Sequence, residues 1–381
     1  RVSLSCAHRR VLAESVAASE DVPAFDRSAM DGYAVPDAGQ SERYRIVMEV
    51  PAGVRPARAL IAGECARIFT GGALPEGAVR VIMQEQTRRE GEWMIPDEVD
   101  GATHIRFRGE DAKAGQMLLH AGRRIGAVEL ALLAQLGTVE PLVRKQPRVL
   151  HVVPGNEVID PAQVPEFGQI RDSNSSLIAG LLTENGADLI AQERCGDDLE
   201  RLIWAIESRA AESWDMLLIS GGASVGDHDY GRPALERMGF SVHFDRVNLR
   251  PGKPLTFATR GSQCAFVIPG NPVSHLVCFH LAIREALDCV QLAERGLVFA
   301  ELPLRAERGL PGNARETWWP ARQVWARPGE HRPVCEVVPC RRQSSGDCTD
   351  LAGLNALIQI PAGSAGAHPG QGVRCLLLDR G

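Results

Sequence analysis

QPRVLHVVPGNE (146–157), DMLLISGGASVGD (215–227) and QCAFVIPGNP (263–272) repeat one pattern: a short run of mostly apolar, β-prone residues ending in a glycine loop. Helical periodicities lie between them. Ser173 to Asn185 reads as a helix closed by Gly186 at its C-terminal end. Asp198 to Ala211 carries Leu199, Leu202, Ile203 and Ile206 at helical spacing. Ala187 to Gln192 supplies another strand, and Pro272 opens a helix running to about Val290, at a first turn where proline's fixed φ is tolerated. Strands alternating with helices specify a doubly wound α/β domain with a parallel sheet over 146–290.

Outward from that block the pattern changes. Residues 22–114 are rich in glycine and proline with short β-like runs, Arg45 to Val50 and Val79 to Gln84, which predicts a small β-rich domain. Ile125 to Leu136 is helical, and so is the spacing of Val11 to Val16; 1–21 and 115–145 are expected to form one elongated segment. From about residue 291 short runs are split by turns: Glu301 to Arg305, Val334 to Val338, Ala356 to Ile360 and Val373 to Leu377. They predict a small C-terminal β-barrel over 291–381. The chain starts at Arg1 without a methionine, so an element preceding it is expected.

At 381 residues the chain exceeds what one hydrophobic core serves. A formal charge of −6 argues against a nucleic-acid coat protein, so an anionic ligand must be held by local groups. No apolar run approaches the roughly 20 residues of a membrane span, and a signal-peptide core is absent. The ten cysteines are scattered without a CxxC pair, which fits small buried hydrophobes in a reducing cytoplasm. No HExxH is present, and His275 with His280 does not share a helical face, so a zinc hydrolase is not expected.

In an open α/β sheet, ligands bind beyond the carboxyl ends of the strands. There stand Pro154-Gly155-Asn156-Glu157, Ser220-Gly221-Gly222-Ala223-Ser224-Val225-Gly226-Asp227, and Pro269-Gly270-Asn271-Pro272, three loops able to bring bare backbone amides to a ligand. The second is neither a Walker A loop nor GxGxxG. It is a glycine-rich anion cradle followed by Asp227 and Asp229, hard oxygen donors suited to Mg²⁺ bridging a phosphate; the alternative is a turn with solvated carboxylates. Arg246, Arg250 and Lys253 form a basic cluster suited to an oxyanion, or surface charge. Thr70-Gly71-Gly72, the 23–34 segment and Arg106 to Asp111 are polar groups between apolar anchors, readable equally as capped turns.

FDRSAMDGYAV (25–35), FTGGALPEG (69–77), MQEQ (83–86), RGED (108–111), SGGASVGDHDY (220–230), RPGKP (250–254) and IPGNPVS (268–274), in this order, resemble the molybdopterin molybdotransferase family, to which gephyrin is also related. The resemblance covers almost the whole chain. It implies a homodimer of four-domain subunits, with the active site at the subunit interface. It also implies a reaction in which adenylylated molybdopterin and molybdate give molybdenum cofactor and AMP with Mg²⁺. By motif position, Asp31, Thr70, Glu157, Asp197 and Asp229 are the implied catalytic residues, with Glu157, Asp227 and Asp229 toward the metal. Substrate would be held by Asp111, Ser220, Gly221, Gly222, Asp227, Arg250, Lys253, Pro254, Pro269, Gly270, Asn271, Pro272, Arg315 and Ser345. Implied partners are the molybdopterin adenylyltransferase and recipient molybdoenzymes.

The chain departs from the family pattern in places. Pro154-Gly155-Asn156-Glu157 stands where the family usually reads TGDE, removing one charge beside Glu157, and arginine stands at 246 and 250 where lysine is common. Gln343 to Asp350 keeps Gln343, Ser345 and Gly346 but replaces later hydroxyl positions. Two other functions fit the same segments: a binding or scaffold protein of this fold without turnover, and adenylylation of molybdopterin by the α/β domain. The added β-rich and C-terminal domains argue for insertion over adenylylation.

Overall fold

The structure, a computed structural model, describes residues 1–37, 39–97, 99–222, 230–294, 296–325, 335–341, 346 and 349–378. The chain divides into two compact units, one of Arg1–Cys6, Ala13–Ala121 and Gly126–Leu142, the other of Ala7–Leu12, Gly122–Ile125 and Val143–Gly381.

The first unit is built on a six-stranded sheet. Its strands are β1 (Gly32–Val35), β2 (Tyr44–Val50), β3 (Glu64–Ile68), β4 (Arg80–Met83), β5 (Thr87–Glu90) and β6 (Trp93–Pro96), in spatial order β4-β1-β3-β2-β6-β5. Alternation along the strands sends Ala34, Val50, Ile68 and Val81 to one core and Tyr33, Val35, Tyr44, Ile82 and Met94 to another. The glycine-rich segment is thus β-rich, as its composition predicts. The helix α1 (Ala127–Gln135) forms inside the predicted stretch, with Glu129 accepting from the Gly126 amide at its start.

The helical spacing at Val11 to Val16 misleads. Val11 and Leu12 make antiparallel bridges to Arg124 and Val143, and Val16–Ala17 pairs with Met117–Leu119. Val11 and Leu12 are both fully buried. Adjacent buried residues demand cover on both sides of the chain, which an extended segment between two neighbours obtains and a one-sided helix does not.

In the second unit, β7 (Arg148–Pro154), α2 (Ser173–Glu184), β8 (Asp188–Cys195), α3 (Leu199–Glu207), β9 (Met216–Ser220), α4 (Gly231–Arg237), β10 (Ser241–Phe244), β11 (Leu249–Arg250), β12 (Thr256–Arg260) and β13 (Gln263–Ile268) follow in order. The chain then enters α5 (Pro272–Cys278), a π-helical turn (Phe279–Ile283) and α6 (Arg284–Gln291), so the long predicted helix is one run with an inserted turn. Asp172 caps α2 by accepting from Ser175, Asp198 caps α3 by accepting from Arg201, and Pro272 occupies the first turn of α5. The sheet order is β8-β7-β9-β13-β12-β10. Its first four strands are parallel, as expected, but β12 and β10 join antiparallel, because β12 and β13 are consecutive and joined by a tight turn.

Period-two alternation divides this sheet between two cores. Val149, Met216, Leu218, Phe266 and Ile268 pack under α2, α5 and α6, while Leu150, Val152, Leu217, Ile219 and Val267 pack under α3 and α4. The first core also takes Trp318, Leu357 and Leu376 from the C-terminal strands. Those strands are β14 (Val298–Pro303), β15 (Glu316–Trp325), β16 (Cys335–Pro339), β17 (Ala356–Ile360) and β18 (Gly372–Leu377), in the order β11-β15-β17-β18-β14 with β16 on β15. The longest of them, β15, is absent from the sequence reading, and it contains Pro320, a residue that paired strands disfavour. The structure accommodates it: β17 pairs residues 317–321 and β16 pairs 321–325, so the second neighbour begins just past the proline.

Candidate active site

The strand order places a topological switch point between β7 and β9, since the chain leaves β7 toward β8 and returns on the other side. The three loops meet there. A side-chain carbon on Gly221 would lie 3.4 Å from the Pro154 carbonyl oxygen, and one on Gly270 would lie 3.9 Å from Gly221 Cα. Gly221 and Gly222 have φ of +108° and +67°, left-handed values that glycine takes without strain. The Gly221 amide donates to Ile268 O at 2.8 Å, tying the loop after β9 to β13. Asn174 Nδ2 donates to Gly270 O at 2.7 Å, a fixing contact that sequence reading passes over. Asn271 stands at the N-cap position of α5 and Pro272 follows it. Pro154, Gly155, Gly221, Gly222, Pro269, Gly270, Asn271 and Pro272 therefore form one cradle.

Carboxylates stand at its edge. Glu157 is exposed, and Asp197, beyond the neighbouring strand β8, accepts from the Asn156 amide at 3.3 Å. The loops after β7 and β8 thus bring Glu157 and Asp197 to the same end of the sheet. Asp227, Asp229 and Ser345 lie outside the described residues. Among the described residues no group of three metal-binding side chains converges. Glu157 and Asp197 offer part of a hard-oxygen donor set suited to Mg²⁺.

Ser220 requires a correction. Its side chain does not face a ligand: it is 2% exposed, and its Oγ lies 2.6 Å from His151 Nε2 and 2.7 Å from His275 Nε2. Strand alternation is the reason, because Ser220 follows Met216 and Leu218 on the α5 side of β9. Neither histidine was a sequence-predicted site residue.

The basic residues gather at β11. Arg250 is half-buried, pairing with Thr317 of β15, and the Arg315 guanidinium donates to Leu249 O at 3.2 Å. Lys253 and Arg246 are exposed and Pro254 half-buried. The RPGKP loop packs on α5, where the Cys278 thiol faces Gly252 O at 3.9 Å. Arg315 is thereby brought beside Arg250 by tertiary pairing alone.

In the first unit, Asp31 Oδ1 accepts from both the Thr70 amide and the Thr70 hydroxyl, each at 2.7 Å. These two donors, the amide first, hold the Asp31 carboxyl below its ordinary pKa, with the Arg67 charge adding to them. Arg67 lies over the rings of Tyr33 and Phe69 and donates to Gly32 O at 2.9 Å and Gln84 Oε1 at 2.6 Å. Asp111 is paired with Arg106. Asp31 and Thr70 thus form one preorganised pair, whereas the Asp111 carboxylate is partly neutralised by its own turn. A cavity of 410 Å³ lies elsewhere, between α3 and α4, lined by residues such as Trp204 and Arg237 and by none of the predicted site residues.

The fold and site define a multidomain protein in which an α/β domain with glycine loops at its switch point is joined to β-rich domains. Residues 1–137 match the MoeA N-terminal region (domain I and II), 151–288 a probable molybdopterin binding domain, and 303–378 the MoeA C-terminal region (domain IV). Molybdopterin molybdenumtransferases from Nostoc sp. and Bacillus subtilis are 34% and 31% identical, covering 99% of this chain and 88% and 89% of theirs. The crystal structure of the molybdopterin biosynthesis moeA protein from Pyrococcus horikoshii superposes with a TM-score of 0.82 at 27% identity, covering 99% of this chain and 93% of that one. The chain belongs to the molybdopterin molybdenumtransferase family. Among the described residues no helix is long and apolar enough to cross a membrane.

Proposed function

We propose that this chain inserts molybdenum into molybdopterin, taking adenylylated molybdopterin and molybdate and releasing molybdenum cofactor and AMP. The observation that carries the reading is the meeting of three glycine loops at the switch point beside the exposed Glu157. Glycine loops that lead into a helix start suit the pyrophosphate of the adenylylated substrate, the Gly221 amide itself being committed to Ile268 O. Glu157 and Asp197, with Asp227 and Asp229, would hold Mg²⁺, which when bound neutralises charge on the phosphoanhydride. A carboxylate there orients the water that attacks phosphorus, and AMP departs as the bridging P–O bond breaks.

Arg250, Lys253 and Arg315, with Pro254 and Ser345, suit a tetrahedral oxyanion such as molybdate, arginine by paired N–H donors and lysine as a point charge. Asp31, Thr70 and Asp111 would reach this centre from the partner subunit of a homodimer. The reaction belongs to the cytoplasm, beside the molybdopterin adenylyltransferase and the recipient molybdoenzymes. Asp197, tied to the Asn156 amide next to Glu157, keeps two carboxylates at this end of the sheet, which supports turnover over a scaffold role. The test is AMP release from adenylylated molybdopterin on adding molybdate and Mg²⁺, with cofactor read by reconstituting an apo-molybdoenzyme. Molybdate-dependent release lost in Asp229→Asn is expected; tight binding without release under any metal would overturn the reading in favour of a scaffold.

A further inference from the structure

Beneath the glycine cradle three side chains from three elements meet in the core. His151 lies within β7, Ser220 ends β9, and His275 sits in α5, and they are 0%, 2% and 0% exposed. The ends of their hydrogen-bond chain determine where each hydrogen sits. Gln192 Nε2 lies 3.0 Å from the Ser175 carbonyl oxygen, which can only accept, so that atom is the amide nitrogen. The same nitrogen lies 2.8 Å from His151 Nδ1, which must therefore accept. At the other end His275 Nδ1 lies 3.1 Å from the Asn271 carbonyl oxygen and must donate.

One polarity satisfies every group. His151 donates from Nε2 to Ser220, the Ser220 hydroxyl donates to His275 Nε2, and His275 donates from Nδ1 to Asn271. Both rings are neutral and in opposite tautomers. Burial agrees, pushing His151 down to about 3, with the His275 ring adding to it, and His275 down to about 4. A proton wire is excluded because the chain ends at a carboxamide, which does not relay protons. Neither histidine falls within the motifs that mark the family.

We infer that the His151–Ser220–His275 chain is a positioning device for the nucleotide site, locking the end of β9 to the first turn of α5 so that the Gly221-Gly222 and Gly270-Asn271 loops stay in register. It rests on the reading of these loops as the site of the adenylylated substrate. Gly221 and Gly222 have the left-handed freedom that makes a cradle and also lets it drift, and the chain adds a buried side-chain anchor to the Gly221–Ile268 and Asn174–Gly270 bonds. Supporting groups of this kind set how well a first layer of donors is preorganised.

Two experiments test it. In the wild-type protein, ¹⁵N NMR of the imidazoles should show His151 as the Nε2–H tautomer and His275 as the Nδ1–H tautomer, both neutral at pH 7, and added AMP should shift the His275 ring signals. Identical tautomers, a charged ring, or AMP bound with both rings unmoved would overturn the inference alone; a wild type that binds no AMP overturns the nucleotide reading and the inference with it. In variants, Ser220→Ala and His275→Asn (which keeps a donor toward Asn271 but loses the Nε2 acceptor) should each raise KM for adenylylated molybdopterin and Kd for AMP about tenfold, with kcat within about twofold. The double variant should be no worse than either, since both remove one link. Unchanged KM and AMP affinity in a variant with a lowered melting temperature would reduce the chain to fold support; should the variants fail to fold, the wild-type NMR arm still decides.

Discussion

Replacing Gly155 by alanine asks whether the loop after β7 positions Glu157. Gly155 has φ of +147°, which L-residues rarely adopt, and a Cβ there would lie 2.9 Å from Val158 Cγ2 and 3.0 Å from Glu157 Oε2. The backbone penalty is about 1–3 kcal/mol, a fall in melting temperature of roughly 2–10 °C for a unit this large. The stiff, β-branched Val158 yields less readily than the glutamate, so the methyl group displaces the carboxylate. A catalytic group moved by a fraction of an ångström to 1 Å loses roughly 10–100-fold in rate. The assay is molybdate-dependent AMP release beside thermal unfolding, with Gly168→Ala as control. Gly168 also has a positive φ, +89°, but nothing within 4 Å, so its alanine variant carries backbone strain without displacement. It should lose stability and keep activity within about twofold. If Gly155→Ala is as active as Gly168→Ala, the loop does not position Glu157.

Other outcomes follow from the same geometry. Thr70→Val removes the hydroxyl donor to Asp31 and leaves the amide, so the Asp31 pKa should rise part of the way to its ordinary value in an NMR titration. Because the folded value is depressed, the stability Asp31 supplies is present above its unfolded pKa and lost as pH falls through the folded one; in the variant that loss is smaller and is complete at a higher pH. Asp198→Ala, which removes the α3 cap, should cost about 0.5–2 kcal/mol in denaturant unfolding. His151 and His275 titrate only at about 3 and about 4 in the folded state, whereas the unfolded chain binds those protons below its ordinary value of 6.5. Stability should therefore fall with acidification from pH 6.5, by about 1.4 kcal/mol per pH unit for each ring, and the slope should shrink by one proton in His275→Asn. Burial pushes the thiols of Cys65, Cys264, Cys278 and Cys375 up to about 12, so at pH 8 a thiol reagent should label exposed Cys6 and Cys289 first and reach those four only on unfolding.

The parallel part of the α/β sheet was legible because each buried strand is a compact apolar run with a glycine loop behind it, and each helix carries its own cap or proline. Signals of that kind are local, so β7, β9, β13 and α2 fall where the pattern puts them. Val11 to Val16 failed because helical spacing and an extended segment buried on both sides look alike over six residues. Strand β15 failed because the effect of Pro320 depends on where its neighbours begin, which no local pattern states. The C-terminal strands at Ala356–Ile360 and Gly372–Leu377 were readable as short alternating runs.

By itself, then, the sequence determined the alternating elements of the α/β block, the loops at their carboxyl ends, and the order of motifs that places the chain in its family. Each of these is carried by residues close together in the chain. Tertiary structure alone decided that Arg315 sits beside Arg250, that Asn174 holds Gly270, and that the Ser220 hydroxyl is spent on His151 and His275 rather than on a ligand. Those contacts join residues 55 to 96 positions apart. A hydrogen bond depends on the direction of a lone pair, and that direction exists only once distant strands and helices have packed.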